Sequence, residues 1–199
     1  MAKIIGITGP SGAGKSLLCK YISEAGIPCI NADEVYHSML TPNSRILSAI
    51  ANALGDDLIS ADGSLDRAAL SARVFADKEK LRTLNNTVLP LVIDEIERII
   101  SSLEEKGHSL IAVDAPTLIE SGFNKKCDTV ISVLSPRQTR IERIMARDGI
   151  SQERAEARIT AQRDDSFYVS GSDVVLINDS DEQSFAAQVR NVTLKLTND

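Results

Sequence analysis

Short apolar runs separated by amphipathic stretches make up the pattern of this chain. Five such runs lie at residues 4–8, 28–31, 109–113, 129–134 and 174–177. The first is almost wholly apolar, is rich in β-branched residues and ends at a glycine. Runs of this kind are typical of strands that are buried on both faces of a parallel sheet. The pattern therefore predicts an α/β fold with a five-stranded parallel sheet.

The stretches between these runs carry the apolar spacing of helices. Helices are predicted at residues 15–25, 34–40, 44–54, 67–75, 77–84, 88–105, 136–147, 151–162 and 181–196. Strand patterns stop after about residue 34 and resume at about residue 108. We therefore expect a core formed by residues 1–34 and 108–199, interrupted by a helical insertion at residues 35–107.

The segment at residues 9–16 reads GPSGAGKS and matches the pattern G-x-x-x-x-G-K-[ST]. It follows the first predicted strand and begins the first predicted helix, which is the context that this phosphate-binding motif requires. Glycines let the backbone turn its N–H groups inward, and the helix N-terminus adds partial positive charge. We expect Lys15 to reach the β- and γ-phosphates of a nucleotide and the Ser16 hydroxyl to bind Mg²⁺. The predicted nucleotide-binding residues of this segment are Gly9, Gly12, Ala13, Gly14, Lys15, Ser16 and Leu17.

Composition narrows the class of protein. The chain has 22 Lys and Arg against 28 Asp and Glu, a net charge of −6, which disfavours a nucleic-acid partner. No apolar run approaches the roughly 18 residues that cross a bilayer, and the N-terminus lacks the apolar core of a signal peptide. The 3 cysteines are scattered, as is typical of proteins in a reducing compartment. We expect a cytoplasmic protein without a membrane or nucleic-acid partner.

Two motifs that a GTPase needs are missing from the sequence. NKKCD at residues 124–128 is one residue longer than the guanine-binding pattern N-K-x-D, and it precedes a predicted strand instead of following one. DAPT at residues 114–117 has Thr where the switch pattern D-x-x-G has Gly. The sequence therefore excludes a GTPase and leaves open the other classes of phosphate-loop protein.

Two aspartates follow predicted strands, where open α/β sheets bind their ligands. Asp33 follows the second strand and is a candidate general base for an acceptor hydroxyl. The alternative is that Asp33 caps the helix predicted at residues 34–40. Asp114 ends the third strand and is a candidate for holding magnesium, and the alternative is a turn aspartate ahead of Pro116.

Arg140, Arg143 and Arg147 recur at positions i, i+3 and i+7 of a predicted helix, which places three guanidinium groups on one face. Guanidinium groups bind phosphate oxygens with two hydrogen bonds and stabilise a phosphoryl group during transfer. The alternative is a solvated face whose arginines pair with neighbouring carboxylates. That alternative is favoured for two further arginines, Arg154 and Arg158.

Several segments, taken in order, resemble the dephospho-CoA kinase family. They are IGITGPSGAGKS at residues 5–16, NADE at 31–34, GSLDRAAL at 63–70, VF at 74–75, LN at 84–85, VDAPTLIESG at 113–122, ERIMARDG at 142–149, AEARITAQ at 155–162 and DVVLIN at 173–178. This ordered set runs almost the whole length of the chain and is more specific than the phosphate loop alone. The sequence departs from the family at Leu89, where a His commonly precedes the proline.

The resemblance implies a three-layer α/β/α P-loop NTPase fold with a helical acceptor-binding insertion and a helical lid at about residues 137–165. It implies an ATP-dependent phosphotransferase that moves the γ-phosphoryl group to the ribose 3′-hydroxyl of dephospho-CoA with Mg²⁺. Asp33 matches the family's catalytic acidic residue, Arg140 and Arg147 lie where its lid arginines lie, and Asn178 looks like part of its adenine-side segment.

The expected catalytic residues are Asp33, Lys15 and Arg140, the further nucleotide-binding residues are Arg143, Arg147 and Asn178, and the metal-binding residues are Ser16 and Asp114. Two other functions remain open at this stage. One is a kinase for another small hydroxylated metabolite, and the other is a non-catalytic module that senses ATP. We expect a monomer or a weak homo-oligomer with ATP and dephospho-CoA as its small-molecule partners.

Overall fold

The computed structural model describes residues 1–75, 77–179 and 181–198, so that Ala76, Ser180 and Asp199 lie outside the described residues. The strands are β1 (Lys3–Thr8), β2 (Cys29–Asn31), β3 (Leu110–Asp114), β4 (Thr129–Leu134) and β5 (Val174–Ile177). The helices are α1 (Lys15–Glu24), α2 (Ala32–Met39), α3 (Arg45–Leu54), α4 (Arg67–Phe75), α5 (Lys78–Glu105), α6 (Arg137–Asp148), α7 (Gln152–Thr160), α8 (Asp165–Ser170) and α9 (Glu182–Asn198). Short 3₁₀ turns span Asp56–Leu58 and Phe123–Lys126.

The strands form a five-stranded sheet in the order β2-β3-β1-β4-β5, and every neighbouring pair is parallel. β1 lies at the centre, with Ile7 in register with Asp114 of β3 on one side and with Ile131 of β4 on the other. All its residues after Lys3 are buried, as expected for a strand covered on both faces. The predicted α/β fold with a five-stranded parallel sheet is confirmed.

Helices α1 and α9 pack together against the sheet. Leu18 and Ile22 of α1 join Ile5 and Ile7 of β1 in one cluster, and Phe185 of α9 completes it with no exposed surface. Burying large apolar side chains in this way contributes about 2 kcal/mol each, which fixes α1 and the loop that precedes it. The lid helices α6 and α7 have their own small apolar cluster, formed by Ile141, Ile144, Ala155 and Ile159.

The chain divides into two compact units. The first consists of Met1–Asn31 and Leu103–Asp199 and contains the sheet. The second is Ala32–Ser102, which the structure forms from α2, α3, α4 and most of α5. Its core includes Ile46 and Ile50 of α3, both almost fully buried. Within the described residues, no helix is long and apolar enough to cross a membrane.

Helix α5 differs from the sequence prediction. Two helices were expected, at residues 77–84 and 88–105, but one helix of 28 residues runs through both and contains Pro90. That prediction is wrong because apolar residues at spacings of four, Val88 to Ile100, keep one face of the helix buried across the expected break. Pro90 is exposed, so water can bond the carbonyl group that the missing proline N–H leaves without a partner.

A second difference is α8, which the sequence pattern did not predict. It has only 6 residues, and its first turn is capped by the Asp164 carboxylate, which accepts a hydrogen bond from the Phe167 N–H at 3.0 Å. A helix this short shows too few periodic positions to be recognised, and only the Asp at its N-cap signals it.

Replacing Pro90 with Ala is expected to raise the free energy of unfolding by about 1–3 kcal/mol, because alanine restores an N–H group inside α5. Chemical unfolding followed by circular dichroism measures the change. Asn86→Ala, also exposed in α5, is the matched control and is expected to gain only about 0.5 kcal/mol. A gain from Pro90→Ala no larger than that of the control would contradict the prediction.

Candidate nucleotide-binding site

The loop between β1 and α1 has a backbone that only glycine tolerates at two places. Gly9 has φ 135°, and a Cβ there would lie 2.2 Å from the carbonyl oxygen of Val133. Gly14 has φ 111°, and a Cβ there would lie 2.2 Å from Nδ2 of Asn178. The loop is therefore packed tightly from outside at its first and last glycines. Glycine conformations of this kind turn successive N–H groups toward a common centre, which suits an anion.

Lys15 and Ser16 begin α1 directly after the loop. The Lys15 ammonium group donates hydrogen bonds to the carbonyl oxygens of Gly9 at 2.8 Å and Pro10 at 3.4 Å. Ser16 is exposed, and the first turn of a helix has N–H groups without acceptors inside the helix. These amides, the helix dipole and the ammonium group together form a site with the charge and donors to hold phosphate groups.

Arg143 and Asn178 contact the same loop from its outer side. Nη1 of Arg143 lies 3.3 Å from the carbonyl oxygen of Gly12 and 3.4 Å from that of Ala13. Nδ2 of Asn178 donates to the Ala13 carbonyl at 2.9 Å, and Nη2 of Arg143 donates to Oδ1 of Asn178 at 3.3 Å. In this structure the two side chains bind carbonyl groups of the loop and each other.

Arg140 connects the lid to the start of the loop. Its Nε donates to the Ser11 carbonyl oxygen at 3.0 Å, and Nη2 donates to Oε1 of Gln162 at 3.0 Å. The Ser11 N–H donates to the same Gln162 oxygen at 3.1 Å, so both backbone groups of Ser11 bind lid side chains. The Arg140 side chain is 5% exposed, and its Nη1 lies 3.6 Å from Oδ1 of the more exposed Asp165. Burial lowers the pKa of Arg140, and the charge of Asp165 opposes that effect.

Arg147 has a different environment. Its side chain is 58% exposed, and Nε and Nη2 donate to the two carboxylate oxygens of Asp148 at 2.7 and 2.9 Å. Arg158 pairs with the same carboxylate, as the alternative interpretation favours for that residue. The hydrogen bond from Arg147, aided by Arg158, lowers the pKa of Asp148 to about 2. Arg140, Arg143 and Arg147 thus share one helix, but the first two bind the loop and Arg147 binds the neighbouring Asp148.

Asp33 lies in the second unit, in the first turn of α2, and its side chain is exposed. α2 begins at Ala32, one residue before Asp33. The interpretation of Asp33 as the N-cap of a helix at residues 34–40 is therefore wrong, since Asp33 is inside the helix. A carboxylate in this first turn is stabilised by the helix dipole.

Asp114 ends β3 and is 5% exposed. Its carboxylate lies close enough to Cys19 of α1 to affect that thiol. A hydrogen bond with Cys29, burial and the charge of Asp114 all raise the pKa of Cys19, so the thiol stays neutral. Asp114 therefore places a buried carboxyl group beside the helix that carries Lys15 and Ser16.

The residues present fit a magnesium ion that keeps waters and phosphate oxygens as ligands. Ser16 and Asp114 offer a hydroxyl and a carboxylate, which are the hard oxygen donors that Mg²⁺ prefers. Among residues 1–75, 77–179 and 181–198 no cluster of three or more His, Cys, Asp and Glu side chains could enclose a metal ion. At phosphate sites, magnesium typically takes few ligands from the protein and several from the substrate and from water.

Sequence analysis missed three residues of this site: Ser135, Gln162 and Asp165. Ser135 follows β4 directly, and its hydroxyl donates to the Asn178 carbonyl oxygen at 2.7 Å. A polar residue at the end of an apolar strand, on the edge where the loop lies, was a signal available for Ser135. Gln162 and Asp165 follow α7, and no local pattern distinguishes them from other polar positions near a helix end.

Arg140→Met is expected to lower the free energy of unfolding by about 2 kcal/mol, because the substitution leaves the Ser11 carbonyl without its side-chain donor and removes one of the two donors to Oε1 of Gln162. Urea unfolding of the purified variant measures the loss. Arg137→Met, an exposed position in the same helix, is the control and is expected to stay within about 0.5 kcal/mol of the parent. Equal effects of the two substitutions would show that Arg140 does not hold the lid to the loop.

Comparison with known proteins connects this geometry to a family. The family model described as "Dephospho-CoA kinase" matches residues 3–184. The dephospho-CoA kinase of Methylococcus capsulatus is 37% identical over 186 residues, which cover 94% of this chain and 92% of that protein.

Solved structures agree in fold over nearly the whole chain. A crystal structure of TT1252 from Thermus thermophilus has a TM-score of 0.82 at 29% identity and covers 98% of each chain. The dephospho-CoA kinase from Campylobacter jejuni has a TM-score of 0.72 at 26% identity, also over 98% of each chain. The sheet, the phosphate loop and the lid described above are therefore those of a P-loop NTPase fold.

Proposed function

Because the chain belongs to the dephospho-CoA kinase family, and so is an ATP-dependent kinase that phosphorylates dephospho-CoA to coenzyme A, we propose that its glycine loop and Lys15 bind the ATP phosphates. The observation that carries this proposal is the conformation of the loop, which only glycine tolerates at Gly9 and Gly14. The ammonium group of Lys15 lies across the loop at hydrogen-bond distance from the Gly9 carbonyl. An incoming phosphate would exchange for that carbonyl as its partner.

The proposed acceptor is the ribose 3′-hydroxyl of dephospho-CoA, and Asp33 is the proposed general base. Its exposed carboxylate stands in the first turn of α2, two residues along the chain beyond the end of β2. Transfer forms a bond between the acceptor oxygen and the γ-phosphorus and breaks the bond to the β–γ bridging oxygen. The hydroxyl proton passes to the Asp33 carboxylate, and ADP leaves.

Lys15, Arg140 and Arg147 are the proposed source of positive charge for the transferring phosphoryl group. The Arg147 side chain is 58% exposed, so phosphate oxygens can reach its guanidinium group and replace the Asp148 carboxylate, which keeps Arg158 as a partner. Arg140 Nη1 faces the exposed Asp165 at 3.6 Å, a contact that a phosphate oxygen could also replace while Nε keeps its bond to the loop. Positioning and charge stabilisation then supply most of the catalysis.

Ser16 and Asp114 are the proposed residues that hold Mg²⁺, directly or through water. When bound, the ion supplies neutralisation of negative charge on the β- and γ-phosphate oxygens. Asp114 is buried close to Cys19, which lies three residues after Ser16 in α1, so a carboxylate there would attract a cation toward this part of the helix. The lid helices exclude water from the phosphates and so limit ATP hydrolysis without an acceptor.

The family assignment disfavours a kinase for another small metabolite and a non-catalytic ATP sensor. Cys19, Cys29 and Cys127 are free thiols, which supports the proposal that the enzyme works in the reducing cytoplasm. A monomer or weak homo-oligomer stays a prediction.

Asp33→Asn is expected to lower kcat by about 10²–10⁴-fold, because the amide cannot accept the hydroxyl proton, while the affinity for ATP stays unchanged. ADP formation from ATP, Mg²⁺ and dephospho-CoA measures turnover, and calorimetry measures ATP binding. Glu34→Gln changes the neighbouring exposed acid of the same turn and is the matched control. An Asp33→Asn variant with more than a tenth of the parent kcat would exclude Asp33 as the base.

The same assay tests the reaction itself. The parent protein is expected to form ADP only when dephospho-CoA is present, with coenzyme A as the second product. ADP formation that does not depend on the acceptor would contradict the function, whatever the result for Asp33.

A further inference from the structure

Three polar side chains of the first unit, Ser135, Arg143 and Asn178, form a connected group outside the phosphate loop, which we call the loop-supporting cluster. Ser135 and Asn178 are each 3% exposed, and Arg143 is half-buried. Arg143 donates to Oγ of Ser135 at 3.3 Å and to Oδ1 of Asn178 at 3.3 Å. Such buried polar groups cost free energy unless each has a partner, and in this cluster they satisfy one another.

The cluster is fixed to the ends of two strands. The Asn178 N–H donates to the carbonyl oxygen of Leu134, the last residue of β4, at 2.8 Å. The Ser135 hydroxyl donates to the Asn178 carbonyl oxygen at 2.7 Å. Asn178 itself directly follows β5. Its position is therefore determined by the sheet and not by the loop that it contacts.

Arg143 holds the carbonyl groups of Gly12 and Ala13, and Asn178 holds that of Ala13, so the peptide after Ala13 is the one that both side chains contact. The Ala13 carbonyl oxygen accepts from Nδ2 of Asn178 at 2.9 Å and from Arg143 at 3.4 Å. In a trans peptide the carbonyl group and the following N–H point in opposite directions. Because the Ala13 carbonyl is held outward, the Gly14 N–H is directed to the opposite side, toward the interior of the loop.

Asn178 also explains why residue 14 is glycine. A Cβ at that position would lie 2.2 Å from Nδ2 of Asn178, so the side chain that holds the Ala13 carbonyl occupies the space a larger residue would need. The backbone N–H, the carbonyl group, Oδ1 and Nδ2 of Asn178 all have partners in the first unit. With 3% of its surface exposed, Asn178 lacks the access to bind an adenine ring.

We infer that Asn178 and Arg143 are positioning residues of the phosphate site, which act on the nucleotide through the peptide between Ala13 and Gly14. The inference gives Asn178 and Arg143, which the sequence predicted as nucleotide-binding residues, an indirect role through the loop. The inference rests on the proposed function only in its premise that the loop binds the phosphates of ATP. The ligand that the loop recognises is then a polyphosphate, with or without an attached nucleoside.

The test compares ligands that separate phosphate from base: ADP, inorganic tripolyphosphate and adenosine, each measured by calorimetry. Asn178→Asp keeps the shape of the side chain but replaces its donor with a carboxylate oxygen that repels the Ala13 carbonyl. The Kd of ADP and the Kd of tripolyphosphate are expected to rise by the same factor, about tenfold. The Kd of adenosine is expected to stay within about twofold of the parent value.

Steady-state kinetics give a second readout that a general loss of stability would not produce. KM for ATP is expected to rise about tenfold with little change in kcat, because an inward amide binds the ground state and the transition state alike. KM for dephospho-CoA is expected to stay unchanged. Parent turnover of dephospho-CoA tests the proposed function separately, so failure of the function and failure of this inference give different results.

Gln188→Ala is the matched control. Its side chain bonds both backbone groups of Ile177, the residue before Asn178, at 3.3 and 3.0 Å, and within the described residues none of its hydrogen bonds involves the loop or the lid. This variant is expected to bind all three ligands as the parent does. Equal weakening of phosphate binding by Gln188→Ala and Asn178→Asp would overturn the inference, since any loosening of the end of β5 would then suffice.

Arg143→Lys keeps the test decisive if Asn178→Asp does not fold. Lysine retains the charge but has a single donor group, which cannot reach the Ala13 carbonyl and Asn178 together as the guanidinium fork does. A rise of about threefold in the Kd of ADP and of tripolyphosphate, with the Kd of adenosine unchanged, supports the inference. Weaker adenosine binding with unchanged tripolyphosphate binding, in either variant, overturns it in favour of an adenine contact, and unchanged binding of all three ligands overturns it altogether.

Discussion

A backbone that presents N–H groups to an anion must place its carbonyl groups elsewhere, and this constraint governs the first unit of the molecule. In a peptide the two groups point in opposite directions, so a ring of inward amides creates a ring of outward carbonyl oxygens. Those oxygens lie in a largely buried region, where each needs a donor. The structure supplies Arg140 for Ser11, Arg143 for Gly12, and Arg143 with Asn178 for Ala13.

The order of the strands separates the candidate acidic groups from the basic ones according to the strand that each follows in the chain. β1, which leads into the loop, is central. On one side, β3 ends at the buried carboxylate of Asp114, and β2 leads along the chain to Asp33. On the other side, β4 leads to Ser135 and then to the arginines of α6, and β5 leads to Asn178. The chain adds strands first on one side of β1 and then on the other. The candidate acidic residues Asp33 and Asp114 therefore follow strands on the first side, and the residues that donate to the loop carbonyls follow strands on the second.

Features that depend on a local pattern could be predicted from the sequence, whereas features that depend on long-range packing could not. Apolar runs and the segment at 9–16 predicted the sheet and the loop, because both are encoded by a few adjacent residues. The spacing of Arg140, Arg143 and Arg147 predicted a shared helix but not the acceptors, since Arg140 meets Ser11 across a separation of 129 residues. The break expected at residues 85–87 is absent because one apolar face continues through them, which the local pattern did not show.

Arg140, Arg143 and Arg147 share one face of a helix in the sequence pattern, but they differ in how deeply they are buried and in what they bind. Arg140 is almost fully buried and half-buried Arg143 is bonded to two loop carbonyls, so moving either would leave buried acceptors without donors. Arg147 is 58% exposed, so phosphate oxygens can reach it, and its partner Asp148 then keeps Arg158. Under the proposed function, Arg140 and Arg143 hold the shape of the loop, and the more exposed Arg147 exchanges its carboxylate partner for the negative charge of the substrate.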